Sequence, residues 1–208
     1  MKTEYRAGKG KIELAEGSIT RYNADAIVVP ANPDLEFAGM GVQAFVARDG
    51  GIEIFDEASK IAEEYAQKHG ELDIHGMQGR VPLYSAHLTT GGRLPAKHVI
   101  HSVALNYDPK SGLYCNRDVI AESTRNVLEL GREHGLTSIG FPALGTGLYQ
   151  VPLEEAVEAM TTEFEKHLAG KTSLERLGIV LFGQDSYLEG SFYLRAKKEI
   201  EIAKRNRN

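Results

Sequence analysis

The sequence predicts an α/β domain: a mixed sheet of about six strands with helices on both faces. Two observations carry this. Apolar runs of strand length alternate with segments of helical spacing, and glycine-rich bends connect them. A third makes the sheet mixed, because the first strand and the 80–105 region have no helix of their own between them.

Residues 1–10 are polar and contain glycine, and are expected to form a loose arm. Residues 11–15 alternate, with Ile12 and Leu14 apolar, as in a strand, and residues 16–20 form a turn. Residues 25–30 (DAIVVP) are a continuous apolar run, as in a strand covered on both faces. They break into a loop at Ala31-Asn32-Pro33-Asp34 and then a glycine bend at residues 37–41. Val42, Phe45 and Val46 are spaced for a helix over residues 42–48. Gly50-Gly51 interrupts, and residues 52–69 place Ile54, Phe55, Ala58, Ile61, Ala62 and Tyr65 on one helical stripe. Residues 71–79 read as a loop and 80–86 as a strand; after the turn at 90–95, residues 97–105 (KHVIHSVAL) are a strong strand. A polar loop at 106–114 precedes a helix over 116–134, which Gly135 ends. Residues 136–141 are a buried strand, 152–169 a helix opened by Pro152 and acids, and 177–182 the last strand. A closing helix over 187–203 ends in the basic tail 204–208. With no repeat or low-complexity linker, the whole chain, 1–208, reads as one domain.

Composition narrows the function classes. Apolar residues make up 42% and charged residues 25%, as in an ordinary soluble chain. The net charge of −5 argues against a general nucleic-acid binder, which needs a basic footprint. Cys115 is the lone cysteine, so no internal disulfide forms and a reducing compartment is permitted. No run approaches the ~20 apolar residues that span a bilayer, and the start lacks the apolar core of a signal peptide. A cytoplasmic location is the expectation.

The stretch Gly140-Phe141-Pro142-Ala143-Leu144-Gly145-Thr146-Gly147-Leu148-Tyr149 organises the chain. A strand precedes it, a helix start follows it, and the glycine-rich turn between them carries no charge. In such a turn backbone N–H groups at a strand end point at an anion, although two glycines also suffice for a tight turn. Other motifs fail. Gly170-Lys171-Thr172 lacks the earlier glycine of a phosphate-binding loop, and no nucleophile-elbow serine occurs. His98 and His101, three apart on a strand, face opposite ways, so no metal site is expected. Cys115 starts a helix, whose dipole can lower a thiol pKa, but no base stands beside it and a packing role is expected. Asp34, Asp49 and Asp56 read as solvated charges.

Four stretches in register resemble the macrodomain family, the ADP-ribose-binding module. They are Glu16-Gly17-Ser18-Ile19-Thr20 with the strand through Asn32, Gly39-Met40-Gly41-Val42, the segment 94–101, and the segment 138–149. The resemblance covers roughly residues 11–202 and implies a three-layer α/β/α sandwich on a mixed six-stranded sheet. It implies no cofactor. The implied ligand contacts are Ser18, Ile19, Ala31, Asn32, Gly39, Gly41, Val42, Leu144, Gly145, Thr146, Gly147, Leu148, Tyr149 and Phe182. The 145–149 loop would wrap the diphosphate, the 39–42 bend would face it near the distal ribose, and Asn32 would bond ribose hydroxyls or merely form a turn. Phe182 would stack on adenine or be a core residue, and Tyr149 would close over the phosphates or distal ribose.

The sequence departs from the family at three places. Ser18 stands where an aspartate usually accepts from the adenine amino group, and Met40 where the second motif has its middle glycine. Gln43 replaces an aspartate of hydrolytic members; an amide positions water but takes no proton. Two functions follow: a binding module for ADP-ribose or mono-ADP-ribosylated protein, or a hydrolase or O-acetyl-ADP-ribose deacetylase using a loop-held water, with Asn32 and Gln43 as candidate catalytic groups. A third, nucleic-acid or poly(ADP-ribose) binding through Arg80, Arg93 and the basic tail, runs against the acidic balance.

Overall fold

In the computed structural model, which describes residues 2–74 and 77–182, the expected layered α/β fold is present. Among the described residues the main sheet has seven strands. In chain order the described elements are β1 (Lys2–Ala7), β2 (Gly10–Glu16), β3 (Ala26–Pro30), and then, after helices α1 (Gly41–Gly50) and α2 (Glu53–His69), a small separate hairpin of β4 (Leu72–Ile74) and β5 (Met77–Gly79). There follow β6 (Ala86–Thr90), β7 (His98–Ser102), a second hairpin of β8 (Asn106–Asp108) and β9 (Gly112–Tyr114), α3 (Arg117–Glu133), β10 (Ser138–Phe141), α4 (Leu153–Ala169) and β11 (Arg176–Leu181).

The main sheet runs β1-β2-β11-β10-β3-β7-β6. The five central strands are parallel, and the edge strands β1 and β6 are antiparallel to their neighbours. The mixed character read from the sequence is therefore the work of the two edges. Alternation sorts the side chains between two layers. Ala26 and Val28 of β3, with Ile12, Ile139, Phe141, Leu177 and Ile179, pack under α3 and α4. Ile27 and Val29, with Val99 and Val180, face α1 and α2, where Val46, Ile54 and Phe55 meet them. The strands are covered on both faces, which is why they read as unbroken apolar runs.

Four local readings are corrected. The loose arm is the edge strand β1, whose alternating exposure is that of a strand with one open face; Lys2 pairs with Ala15 and Ala7 with Gly10 across a tight turn. Residues 80–85 are turns, not strand, and the strand begins at Ala86, because the Val81 N–H turns back to Pro33 O at 2.9 Å. The two polar loops at 71–79 and 106–114 contain the short hairpins, which the polar residues hid. The closing helix over 187–203 and the basic tail lie outside the described residues. Among those described, no helix is long and apolar enough to cross a membrane.

Candidate functional site

The five parallel strands all end at one rim of the sheet. Gly17 follows β2, Ala31 follows β3, Leu105 lies just beyond β7, Pro142 follows β10 and Phe182 follows β11, and all five line a single crevice of about 510 Å³. That is the size of a small-ligand pocket, at the carboxyl ends of strands where open α/β sheets bind ligands. Two bends close over it. Ala38, Met40, Gly41 and Val42 come from the run into α1, and Ala143 to Tyr149, without Leu144, from the loop after β10.

Each bend offers main-chain donors. The first N–H groups of a helix have no intrahelical partner, and α1 starts at Gly41 on the crevice wall. Opposite, the loop ties itself down through Val151 N to Gly145 O at 3.0 Å and Gln150 N to Gly147 O at 3.2 Å. Among the described residues, no protein acceptor takes the N–H of Gly147, Leu148 or Tyr149. Gly145 has φ 76°, and a Cβ there would lie 2.9 Å from both Cys115 Sγ and Ile120 Cδ1. The loop is thus pressed onto α3 at a point only glycine fits. Gly147 differs: a Cβ there would meet nothing within 4 Å.

Most expected contacts come together. Ser18, Ile19, Ala31, Asn32, Gly41 and Val42 line the crevice, as do Gly145, Thr146, Gly147, Leu148 and Tyr149, with Phe182 beside them. Two do not. Leu144 is fully buried in the layer under α3 and α4, and Gly39 is exposed and does not line the crevice. Phe182 is 47% exposed, so it is no core residue; its ring lies 5.1 Å from that of Phe45. Phe45 was missed by sequence reasoning, yet it stands one helical turn after Gly41, on the face α1 turns toward the rim. Met40, 63% exposed, adds an apolar wall to the bend.

The two candidate catalytic amides are occupied. Gln43 is buried; its Oε1 accepts from Ala38 N at 2.7 Å and its Nε2 donates to Pro30 O at 3.0 Å. Its carboxamide clamps the end of β3 to the first bend. Asn32 Oδ1 accepts from Asp34 N and Glu36 N, each at 3.1 Å, and its Nδ2 donates to Glu36 O at 3.3 Å. Both acceptor positions of its oxygen are used, leaving one N–H for a ligand. Asn32 thus holds its own turn, and one of its N–H groups has no partner among the described residues.

Tyr149 is the one titratable side chain among the described crevice residues, and burial pushes its phenol up from the ordinary value. The Cys115 thiol lies beneath the loop, buried, which pushes it up to about 11, in keeping with the expected packing role; α3 begins two residues later, capped by the Asn116 side chain at Val119 N. Arg80 and Arg93 pair with Glu36 and Glu53. Asp49 is no solvated charge: it accepts from Thr20 and Arg48.

The family described as Macro domain matches residues 28–160. An uncharacterized protein of Pyrobaculum aerophilum is 35% identical over 88% of this chain and 91% of its own length. A Citrobacter rodentium protein named O-acetyl-ADP-ribose deacetylase is 30% identical over 85% of this chain and 90% of its own. Among solved structures, the Oceanobacillus iheyensis macrodomain with ADP superposes at a TM-score of 0.80 with 22% identity, covering 99% of this chain and 98% of that one. The Trypanosoma brucei macrodomain in complex with ADP-ribose superposes at 0.69 with 26% identity, covering 91% and 68%.

Proposed function

The chain belongs to the Macro domain family, and from that premise we propose that its crevice binds ADP-ribose, free or carried on a protein, and holds the diphosphate by main-chain amides of the two bends. One observation supports this above the rest. The crevice walls carry no Lys, Arg or His among the described residues, while the start of α1 and residues 147–149, which both line the crevice, carry N–H groups that no acceptor among the described residues takes. Aligned amides and a helix start are sufficient to hold a pyrophosphate. The apolar end beside Phe182 and Phe45 suits a flat base, since stacking on a ring contributes about 1–3 kcal/mol.

Binding without turnover is the reading we favour. General-base catalysis needs a group that can take a proton, and neither Asn32 nor Gln43 can; the carboxamide oxygens of both are also engaged within their own bends. A second reading, hydrolysis of an ADP-ribosyl or O-acetyl-ADP-ribose ester, is favoured by the name of the Citrobacter relative. Here the water would have to be activated by the ligand's own phosphate. We further propose that the whole chain works as one domain, in the cytoplasm, with a mono-ADP-ribosylated protein as partner. The lone buried thiol suits a reducing compartment.

Calorimetric titration with ADP-ribose, followed by an assay for its release from a glutamate-modified protein, separates the readings. Saturable binding without release is the expected result. Release at a rate above that of the untreated ester establishes the second reading, and absence of binding overturns both.

A further inference from the structure

The main sheet ends on β1, whose outer edge has no strand beside it among the described residues. An open edge displays unpaired main-chain N–H and C=O groups, and proteins commonly blunt it with a proline, a bulge or charged side chains. β1 has neither proline nor bulge: its six residues, KTEYRA, pair with β2 without a break. Its charges, Lys2, Glu4 and Arg6, share one face and alternate in sign.

The outward main-chain groups can be identified. Ala7 and Gly10 flank a two-residue loop and so form a hydrogen-bonded pair. Bonded and non-bonded pairs alternate along an antiparallel ladder, so Ala7, Tyr5 and Thr3 spend their main-chain groups on β2. The residue opposite Arg6 agrees with this phase, because Lys11 N donates away from β1, to Glu175 O at 2.8 Å. Lys2, Glu4 and Arg6 therefore turn their N–H and C=O groups outward. The hairpin is tied to the body at its tip, where Lys9 N donates to Leu168 O at 3.3 Å.

These facts select one register. Two copies related by a two-fold axis bring their β1 edges together antiparallel, and bonded pairs form only between outward residues. Offsets that set Glu4 opposite Tyr5 are thereby excluded. Centring on Glu4 opposes two glutamates and sets Lys2 against Arg6, centring on Arg6 opposes two arginines, and centring on Thr3 overlaps residues 2–4 alone. Centring on Tyr5 overlaps residues 3–7 and sets Glu4 opposite the partner's Arg6, twice. Opposite charges directly across a ladder attract, and like charges repel. Both groups are available: Glu4 is half-exposed with Lys11 Nζ at 3.0 Å, and Arg6 is exposed with no acidic partner among the described residues.

We propose that β1 is a self-complementary interaction edge, across which a second copy of this chain adds antiparallel and centred on Tyr5, joining two sheets into one. The pairing reverses strand direction, which puts the two crevices at opposite rims of the joined sheet. It does not depend on what the crevice binds.

The test is sedimentation velocity over a concentration series reaching about 1 mM, the weakest dissociation constant the proposal admits. The unaltered chain is expected to reach twice the monomer mass. Glu4→Arg and Arg6→Glu should each raise the dissociation constant at least about tenfold, because each sets two like-charge pairs across the ladder. The double variant restores opposite pairs and should dimerise like the parent, a rescue that a merely structural effect of either change would not give. Register is read by oxidising two further variants. Tyr5→Cys lies about 4.5 Å, Cα to Cα, from its own copy and should cross-link, whereas Thr3→Cys, opposite the partner's Ala7, should not. Cys115 is buried and takes no part. A monomer at every concentration overturns the proposal, the charges then serving to keep the edge unpaired. So does a dimer indifferent to the charge reversals, or one that cross-links at residue 3 and not at residue 5.

Discussion

The Tyr22 hydroxyl donates to Glu13 Oε2 at 2.7 Å, across a trough in the sheet made by two glycines. Gly140 of β10 and Gly178 of β11 are register partners, and Glu13 of β2 is the next partner of Gly178. A Cβ at Gly178 would lie 2.1 Å from the Tyr22 hydroxyl, and one at Gly140 2.5 Å from its ring. The seated ring anchors the turn of Ile19–Arg21, through Tyr22 N to Ile19 O at 3.1 Å, and so holds the Ser18–Ile19 corner at the crevice.

Gly178→Ala should therefore destabilise the protein by about 1–3 kcal/mol, the usual cost of overpacking, because Tyr22 must leave its seat. Gly147→Ala, which adds a methyl to open space, should change stability by less than about 0.5 kcal/mol. Chemical denaturation of the two variants side by side checks this; equal losses would mean that the trough contributes nothing.

Glu13 has no exposed side-chain surface and is ringed by Lys2, Lys11, Arg176 and Tyr22. Burial pushes its carboxyl up, but the hydrogen bonds from Tyr22, Lys2 and Lys11 outweigh that and hold it at about 2 against an ordinary 4.5. A carboxyl depressed on folding contributes stability that is fully present above its unfolded value and is lost as pH falls toward the folded one. Stability should thus drop between pH ~4.5 and ~2 by roughly 2–3 kcal/mol from this group. The acid limb of a stability–pH curve should flatten in Glu13→Gln, which is itself less stable at neutral pH.

Gly147→Glu should abolish ADP-ribose binding while leaving the melting temperature within a few degrees of the parent's. The fold tolerates a side chain there, but a carboxylate would meet the diphosphate at the mouth of the crevice. Calorimetry on the folded variant is decisive: undiminished affinity would remove the loop from the binding site.

Phe182→Ala should weaken ADP-ribose by about 1–3 kcal/mol and ribose-5-phosphate hardly at all, because only the former carries a base to stack. Its exposure means that truncation leaves no core cavity, so stability should be nearly unchanged. Equal losses for the two ligands would place the base elsewhere.

Gln43→Glu tests the clamp. The carboxylate can still accept from Ala38 N, but it offers Pro30 O no proton and repels it. We expect a loss of about 1–3 kcal/mol at neutral pH, the cost of a buried unsatisfied acceptor pair. The introduced carboxyl is favoured protonated, so its folded pKa is raised; the loss should be absent below the unfolded pKa and grow as pH rises through the folded one. No esterase activity should appear, since the group stays turned into the clamp. A variant as stable as the parent at pH 8 would show that the clamp is not needed.

Much of this molecule was legible from short-range pattern. The unbroken run Ala26–Pro30 identified a doubly covered strand, the spacing of Ile54, Phe55, Ala58 and Ala62 identified α2, and the glycines at 145 and 147 marked the loop after β10 that lines the crevice. Such features depend on residues a few positions apart, whose geometry backbone periodicity dictates. What escaped depended on partners distant in the chain. The residues of β1 look polar because one face of an edge strand is solvated, and only the return of the chain at Gly8 and Lys9 pairs them with β2. Asn32 and Gln43 present the same amide groups in any context; their acceptors and donors at Glu36, Pro30 and Ala38 appear once the bend is folded. Thr20 and Asp49, 29 positions apart, likewise meet only when α1 packs against the turn that follows Ser18. Sequence alone determined the layers, the two glycine bends and the absence of an acid at position 43. Tertiary structure decided which polar groups remain free to meet a ligand, because a hydrogen bond already made within the fold is no longer available outside it.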